Sequence, residues 1–465
     1  MKLIPRSFYF IFSLFFIIAA YPQTVFGQVD LPPFHSESYT LDSGIHDGKT
    51  DEVVVAFQEE IHVTDAAWLR LHFGDYFLGK GSYITIASVK DGSIQHLNAR
   101  TISQWQGSSA FFNGDSLLVK LHAAPGDENI FFQIVRITVG EYLEAQIGIQ
   151  SLCDDDDERS PSTDSRVGRL FGGGCTAFLI SNGAVLTAGH CVDWDPDEDG
   201  PLLPDGISDL SGVVEFNVPL SAADGTPQAA NADDQYPIDL TSVEWHFDGE
   251  GQGYGKDWAV FSIFPNTNNG DRAHDTHGFF RVTCEKPAVN DIIQITGFGI
   301  DEDPPGSTGS ENKWSYTEQT DIGEYKGEIR DGDDIRHEYR VDTRPANSGS
   351  PIIWWVWNVV IGIHTNGGCD AADGTNKGTS FEHDPLERAL EEFQGVGVTH
   401  VDGGMPNLAA ANGTVDRPYF TVLDGILAAP DSGTVSIVKG SYNERFRTSK
   451  ALRLVAPVGS VTIGR

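Results

Sequence analysis

Three short stretches carry side chains fit for acyl transfer. In "CTAFLISNGAVLTAGHC" (Cys175 to Cys191) a strand-like apolar run leads into a small-residue turn bearing His190. One cysteine opens the run and the other directly follows the histidine, so a Cys175–Cys191 disulfide would pin the histidine's loop to the strand beneath it. A general base needs that fixed placement, because protons move only across hydrogen-bond distances. In "GKDWAVFSI" (Gly255 to Ile263), Asp257 precedes an apolar run, which puts its carboxylate at the mouth of a buried strand. A carboxylate there is costly without a partner, and an imidazole N–H is a suitable one. Asp233, Asp234 and Asp239 are among the other aspartates between the histidine and the serine; the apolar run singles out Asp257. In "NSGSP" (Asn347 to Pro351), small residues around Ser348 permit a tight turn. Such a turn exposes the hydroxyl and aims backbone N–H groups at a developing oxyanion. The chemistry these residues share is nucleophilic attack on a carbonyl, in the chain order His, Asp, Ser.

That order is one of the known triad orders. "LTAGHC", "KDWAVF", "NSGSPI" and "VIGIHTNGGC" resemble the trypsin-fold serine endopeptidases over about half the chain. "NSGSP" and "IGIH" are most similar to the secreted bacterial branch that holds the glutamyl and lysyl endopeptidases. The resemblance implies two six-stranded β-barrels with the triad in the cleft between them, and a closing helix. It implies His190 as base, Asp257 as its orienting carboxylate, Ser348 as nucleophile, and an oxyanion hole from the N–H groups of Ala346 and Ser348. Two positions depart from the pattern. Ala346 stands where the family has glycine, and alanine tolerates positive φ less well than glycine. Asn347 stands where pancreatic-type relatives carry an aspartate that receives the newly cut N-terminus; the bacterial branch commonly lacks it too.

By position, Asp342, Thr343 and His364 should line the primary specificity pocket, with Asn366 and Gly367 along one wall. Thr343 and His364 resemble the glutamyl endopeptidases, where they donate hydrogen bonds to a substrate carboxylate. Asp342 points the other way, since trypsin-like enzymes use an aspartate there to attract Lys or Arg. The balance leans to an acidic side chain before the scissile bond. The lysyl endopeptidases also imply a Cys153–Cys369 disulfide, which leaves Cys284 free among the five cysteines.

The elements that must position these residues are mostly strands. Residues 28–150 alternate with period two in "WLRLHF", "YITIASV", "LLVKLH" and "FQIVRITV", with turn residues between them: a β-sandwich pattern, fitting a pro-segment or accessory domain. Residues 151–166, containing "CDDDDERSPSTDSR", read as an exposed acidic linker. Arg159 and Arg166 there are candidate processing sites, with a passive linker as the alternative. Residues 167–395 form a second β-rich block closed by "DPLERALEEFQG", whose Asp384 and Pro385 suit a helix start and whose Leu386, Ala389, Leu390 and Phe393 share one face. In the tail, 396–465, "GTVDRPYFTVLDGILAAPDSGTVSIVKGSYNE" resembles the opening coil of right-handed parallel β-helix proteins. About two coils are too few to bury a core alone, so such a tail must lean on a neighbour.

Residues 1–27 read as an export signal: Lys2 and Arg6, then a short apolar core from Ser7 to Ala20, then small residues in "VFG". A retained anchor is the alternative. No later segment is apolar enough to cross a bilayer. The net charge of −36 argues against nucleic acid or anionic membrane as partner. "DPDEDG" spaces Asp195, Asp197 and Asp199 like the start of a calcium loop, without the glutamate such a loop has at its twelfth position, here Gly206. The reaction itself needs no cofactor. The expectation is an all-β, chymotrypsin-like double barrel, preceded by a β-sandwich and followed by a short β-solenoid-like tail. Its function is that of a secreted serine endopeptidase acting on proteins or peptides. The alternative is a catalytically impaired protease-fold binding protein.

Overall fold

The computed structural model describes residues 33–142, 151–154, 156–171, 174–192, 212–247, 254–301 and 312–464. The export-signal segment and the Asp195–Asp197–Asp199 loop lie outside them. Among the described residues no helix is long and apolar enough to cross a membrane.

The N-terminal unit is two stacked four-stranded antiparallel sheets. One runs Phe34–Asp42, Phe131–Gly140, Trp68–Phe77, Phe112–Asn113; the other runs Val54–His62, Ser116–Ala123, Tyr83–Ser88, Ile94–Leu97. Period-two alternation turns Leu117, Val119 and Leu121 inward from one strand, as a half-buried sheet requires. Its core continues into the next unit. Phe171 packs edge-on against Trp68 at 5.1 Å and lies 4.5 Å from the Phe111 ring, and Val213, Ala229 and Ala232 join the same cluster. Polar staples frame this seam. The Gln235 amide accepts from Phe111 N–H at 2.9 Å and donates to Phe111 O at 2.8 Å. Asn113 and Ala229 make a similar reciprocal pair.

Two barrels follow. Val167–Leu170, Cys175–Leu179, Val185–Thr187, Trp258–Ile263, Gln235–His246 and Val213–Glu215 close the first in that order. Ile292–Gly297, Gln319–Asp331, Asp334–Arg340, Asn376–Ser380, Val359–Asn366 and Pro351–Trp354 close the second. The helix Asp384–Glu392 begins with Pro385 in its first turn. It buries Leu386, Ala389 and Leu390 among Phe178, Val260 and Ile363, which draw on both barrels.

The segment before the first barrel is not the loose connector its composition suggests. Ser160–Pro161 pairs with Gln319–Thr320 at the edge of the second barrel, Ser151 bridges to Thr343, and Cys153 is disulfide-bonded to Cys369. Two of its acids are paired with its two arginines, Asp157 with Arg159 and Asp164 with Arg166, and the Arg166 guanidinium lies 3.7 Å over the Phe280 ring. Both candidate processing sites thus have engaged side chains rather than free ones.

In the tail, Val398–Val401, Thr434–Ile437 and Arg453–Val455 pair in parallel, as do Gly440–Tyr442 and Val461–Ile463. Val401, Val422, Ile426, Val435 and Ile437 make its small core. It leans on the barrels, as so short a coil must: Arg281 holds Asp402 through two hydrogen bonds of 2.6 and 3.0 Å, and Glu391 accepts from Val415 N–H at 2.7 Å.

Candidate active site

His190 sits in a single turn of 3-10 helix, Gly189–Cys191, just past the strand Val185–Thr187. The Cys175–Cys191 disulfide ties that turn to the neighbouring strand. Gly189 is required by crowding, because a side chain there would start 2.1 Å from His246 O. Asp257 is fully buried at the head of Trp258–Ile263. Its Oδ2 lies 2.6 Å from His190 Nδ1 and its Oδ1 accepts from His190 N–H at 2.9 Å. A carboxylate accepts, so Nδ1 carries a proton, and in the neutral imidazole it is Nε2 that keeps the lone pair. The Thr379 hydroxyl, from the second barrel, accepts from Asp257 N–H at 3.2 Å and donates to Asp257 O at 2.8 Å. Asp233, Asp234 and Asp239 are engaged elsewhere, with Asn268, Asn217 and Thr241.

Ser348 lies in a turn held from both barrels. Its carbonyl accepts from Thr176 N–H at 2.8 Å in the first; Gly349 N–H donates to His364 O at 2.8 Å in the second. Gly349 has φ +89°, and a side chain there would start 1.9 Å from Thr176 O. Ala346 has φ +76°, so this alanine takes up the left-handed backbone that glycine adopts freely. The conformation costs an alanine about 1–2 kcal/mol. Part is offset by burial, because its methyl packs with Ile300 and Tyr316 in a small apolar cluster. The Ala346 carbonyl accepts from the Thr176 hydroxyl at 3.1 Å, which fixes the peptide plane. Among the described residues, the N–H groups of Ala346 and Ser348 have no acceptor.

A profile of the trypsin family matches residues 157–380. This segment is a trypsin-family domain. No curated protein matches the chain. Solved structures similar to it include a Glu endopeptidase in complex with MPD, with 18% identity, 51% of this chain and 97% of that one covered, and a TM-score of 0.37. Neuropsin, a serine protease of mouse brain, follows at 16% identity, 49% and 94% coverage and a TM-score of 0.32. A thermostable serine protease, AL20, from an extremophilic microorganism has 12% identity, 48% and 93% coverage and a TM-score of 0.32.

Within the trypsin-family domain the five positions expected to line the pocket are not equivalent. Asp342 is buried, and its carboxyl is occupied by the preceding segment: Oδ1 accepts from Cys153 N–H at 2.8 Å and Oδ2 from Glu158 N–H at 3.1 Å. Thr343 Oγ1 accepts from Asn376 Nδ2 at 2.9 Å, which leaves its own proton to donate. His364 is buried, with Nδ1 2.6 Å from the Tyr339 hydroxyl. Burial first, and His190 second, push the His364 imidazole down to about 3, so it is neutral at ordinary pH. Asn366 Oδ1 accepts from the Thr365 hydroxyl at 2.7 Å. Gly367 leaves room for Ser151, whose Oγ accepts from Gly368 N–H at 2.8 Å. Cys284 is the free thiol, partly buried, and burial raises its pKa. Sequence reasoning missed Ser151, Tyr339 and Thr379. Each acts through a long-range contact that no local pattern announces.

Proposed function

We propose that the chain is an exported serine endopeptidase with His190, Asp257 and Ser348 as its catalytic residues. The observation that carries this reading is the double hold of Asp257 on His190, beside a turn in which the N–H groups of Ala346 and Ser348 have no acceptor among the described residues. In the mechanism, His190 Nε2 takes the Ser348 hydroxyl proton as Oγ bonds to the substrate carbonyl carbon. The carbonyl oxygen becomes an oxyanion, met by the N–H groups of Ala346 and Ser348. Removing one such donor typically costs about 10²–10³ in turnover. His190 then gives the proton to the leaving amine, which breaks the peptide bond and leaves an acyl-enzyme. Water, deprotonated by His190, hydrolyses that ester and restores Ser348.

The substrates are proteins or peptides, cut after acidic residues. The support is the state of the pocket groups. The Asp342 carboxyl has backbone partners and is not available as a counter-ion for Lys or Arg. The 2.6 Å contact is the shorter of the Tyr339 hydroxyl's two, the other being 3.2 Å to Lys377 O. Lys377 O can only accept, so the hydroxyl proton goes there and His364 Nδ1–H donates to the hydroxyl oxygen. The Thr343 hydroxyl, whose own proton is left to donate, suits a carboxylate. Export is supported by two disulfides, which belong to oxidising compartments.

A fluorophosphonate probe tests the assignment. It should modify Ser348 in the folded wild-type protein and fail with Ser348→Ala and His190→Ala. A well-folded protein that the probe leaves unlabelled in every form would make the chain a protease-fold binding protein instead.

A further inference from the structure

Arg159 is oddly placed for an arginine in an acid-rich, surface-running segment. Its side chain is 2% exposed. Nε and Nη2 grip the Asp157 carboxyl at 3.0 and 2.8 Å. Nη2 also donates to Ile300 O at 3.3 Å and lies 3.5 Å from Asp301. The same Asp157 carboxyl accepts from Arg344 Nε at 3.2 Å, and Arg344 Nη2 stands 3.1 Å from it.

These contacts reach both sides of the turn that carries Ala346. Arg344 O accepts from Asn347 N–H at 3.0 Å, and Ile300 N–H donates to Pro345 O at 2.8 Å. Arg159 therefore holds Ile300 directly and Arg344 through Asp157. Two further atoms complete the pattern. Arg159 Nη1 and Asn347 Oδ1 are both buried, and neither has a hydrogen-bond partner among the described residues. They face the same point in space: a side chain at Gly299 would start 2.6 Å from Nη1 and 2.8 Å from Oδ1. A donor of buried positive charge and a buried amide acceptor thus share the small volume that Gly299 leaves open.

We propose that Arg159 is a positioning residue for the reaction: from within the uncut chain its guanidinium buttresses the turn from Arg344 to Ser348 on its Asn347 side. The domain is then competent without a newly made N-terminus. The neutral Asn347 needs a donor rather than a counter-charge, and the counter-charge is supplied by Asp157 instead. Removing one partner of a buried ion pair leaves the other uncompensated. The segment and the turn are therefore ordered together or lost together. The inference rests on Ser348 being the nucleophile.

The test uses the full chain, checked by intact mass to be uncut between residues 151 and 166. This uncut protein should react with the fluorophosphonate probe as fast as any cut form. Arg159→Gln should lower kcat at least about tenfold with KM within about twofold, since a misplaced oxyanion donor acts on the transition state. Gly299→Ala, which wedges a methyl group into the shared volume, should do the same. Arg159→Lys should also lower kcat, because an ammonium cannot reproduce the two-point grip on Asp157 together with the bond to Ile300 O. Methylguanidinium should restore part of the rate to Arg159→Ala, a readout that general damage to the fold would not give. An uncut wild-type protein that is inert while a form cut in this segment is labelled overturns the inference and leaves Ser348 as nucleophile. Arg159→Gln with kcat within twofold of wild type also overturns it. A wild type inert in both forms overturns the assignment of Ser348 itself.

Discussion

Asp257 holds His190 at two atoms, the ring Nδ1 at 2.6 Å and the main-chain N–H at 2.9 Å. The first contact sets the tautomer and the second sets the loop. Asp257→Asn keeps the size of the side chain but presents either an amide NH₂ or a single oxygen. Turnover should fall about 10⁴-fold through the wrong tautomer, with KM little changed. Steady-state kinetics on any cleaved peptide checks this, and an unchanged kcat would remove Asp257 from the mechanism.

Ala346 balances strain against burial. Ala346→Gly relieves a left-handed alanine, about 1–2 kcal/mol. It also removes a packed methyl, about 0.8 kcal/mol, and loosens the unfolded chain by about 0.4–1 kcal/mol. These oppose one another, so unfolding stability should stay within about 1 kcal/mol and kcat within about threefold. Ala346→Val puts a β-branched residue at φ +76°, where such residues are outliers. It should cost about 10² in kcat by displacing the donor. Equal kinetics for the two variants would show that the Ala346 N–H has no part in the reaction.

Asp342 separates a structural carboxylate from a specificity residue. Asp342→Asn loses acceptor strength toward Cys153 and Glu158 N–H, and stability should fall by about 1–3 kcal/mol. Preference in a peptide library should not change. Loss of cleavage after Lys or Arg in that variant would instead mean that the carboxylate faces substrate.

The chemistry was more legible in the chain than its surroundings. His190, Asp257 and Ser348 each stand in a stretch whose local pattern states a need: a pinned loop, a buried carboxylate, a tight turn. The two barrels came from the resemblance that the motifs carry, and the closing helix from Asp384, Pro385 and its apolar face. What escaped was the segment from Ser151 to Arg166. Its acids read as solvated because composition does not reveal that Asp157 and Asp164 pair with the arginines two residues later, or that Ser151 and Cys153 reach Thr343, Asp342 and Cys369. Ala346 looked like a defect for a similar reason. The positive φ is visible only in the folded turn, and so is the apolar contact with Ile300 and Tyr316.

Stability should decline on acidification. Burial holds His72 down to about 2, His364 to about 3, and His274, His277, His337 and His400 to about 4, with neighbouring positive charge adding to it at His72 and His364. The unfolded chain binds protons on them near 6.5, so their contribution is complete above that value and is lost as pH falls toward 4. Glu318 and Glu391 oppose this: burial raises both to about 7, so their contribution is present below the ordinary glutamate value and lost as pH rises to 7. Six imidazoles outweigh two carboxyls. The urea midpoint should be lower at about pH 5 than at about pH 7.5; a higher midpoint at pH 5 would contradict this balance.

The disulfide between Cys153 and Cys369 spans 216 positions in sequence, and His190, Asp257 and Ser348 all lie inside that span. Covalently the domain is a ring with two tails. A single cut anywhere between the two cysteines opens the ring but frees no piece, and both fragments migrate as one until a reductant is added. Under the proposed function, an exported peptidase meets other peptidases, and copies of itself. For this one, a nick in a surface loop is an internal break in a molecule that stays whole, and its reacting groups remain tethered.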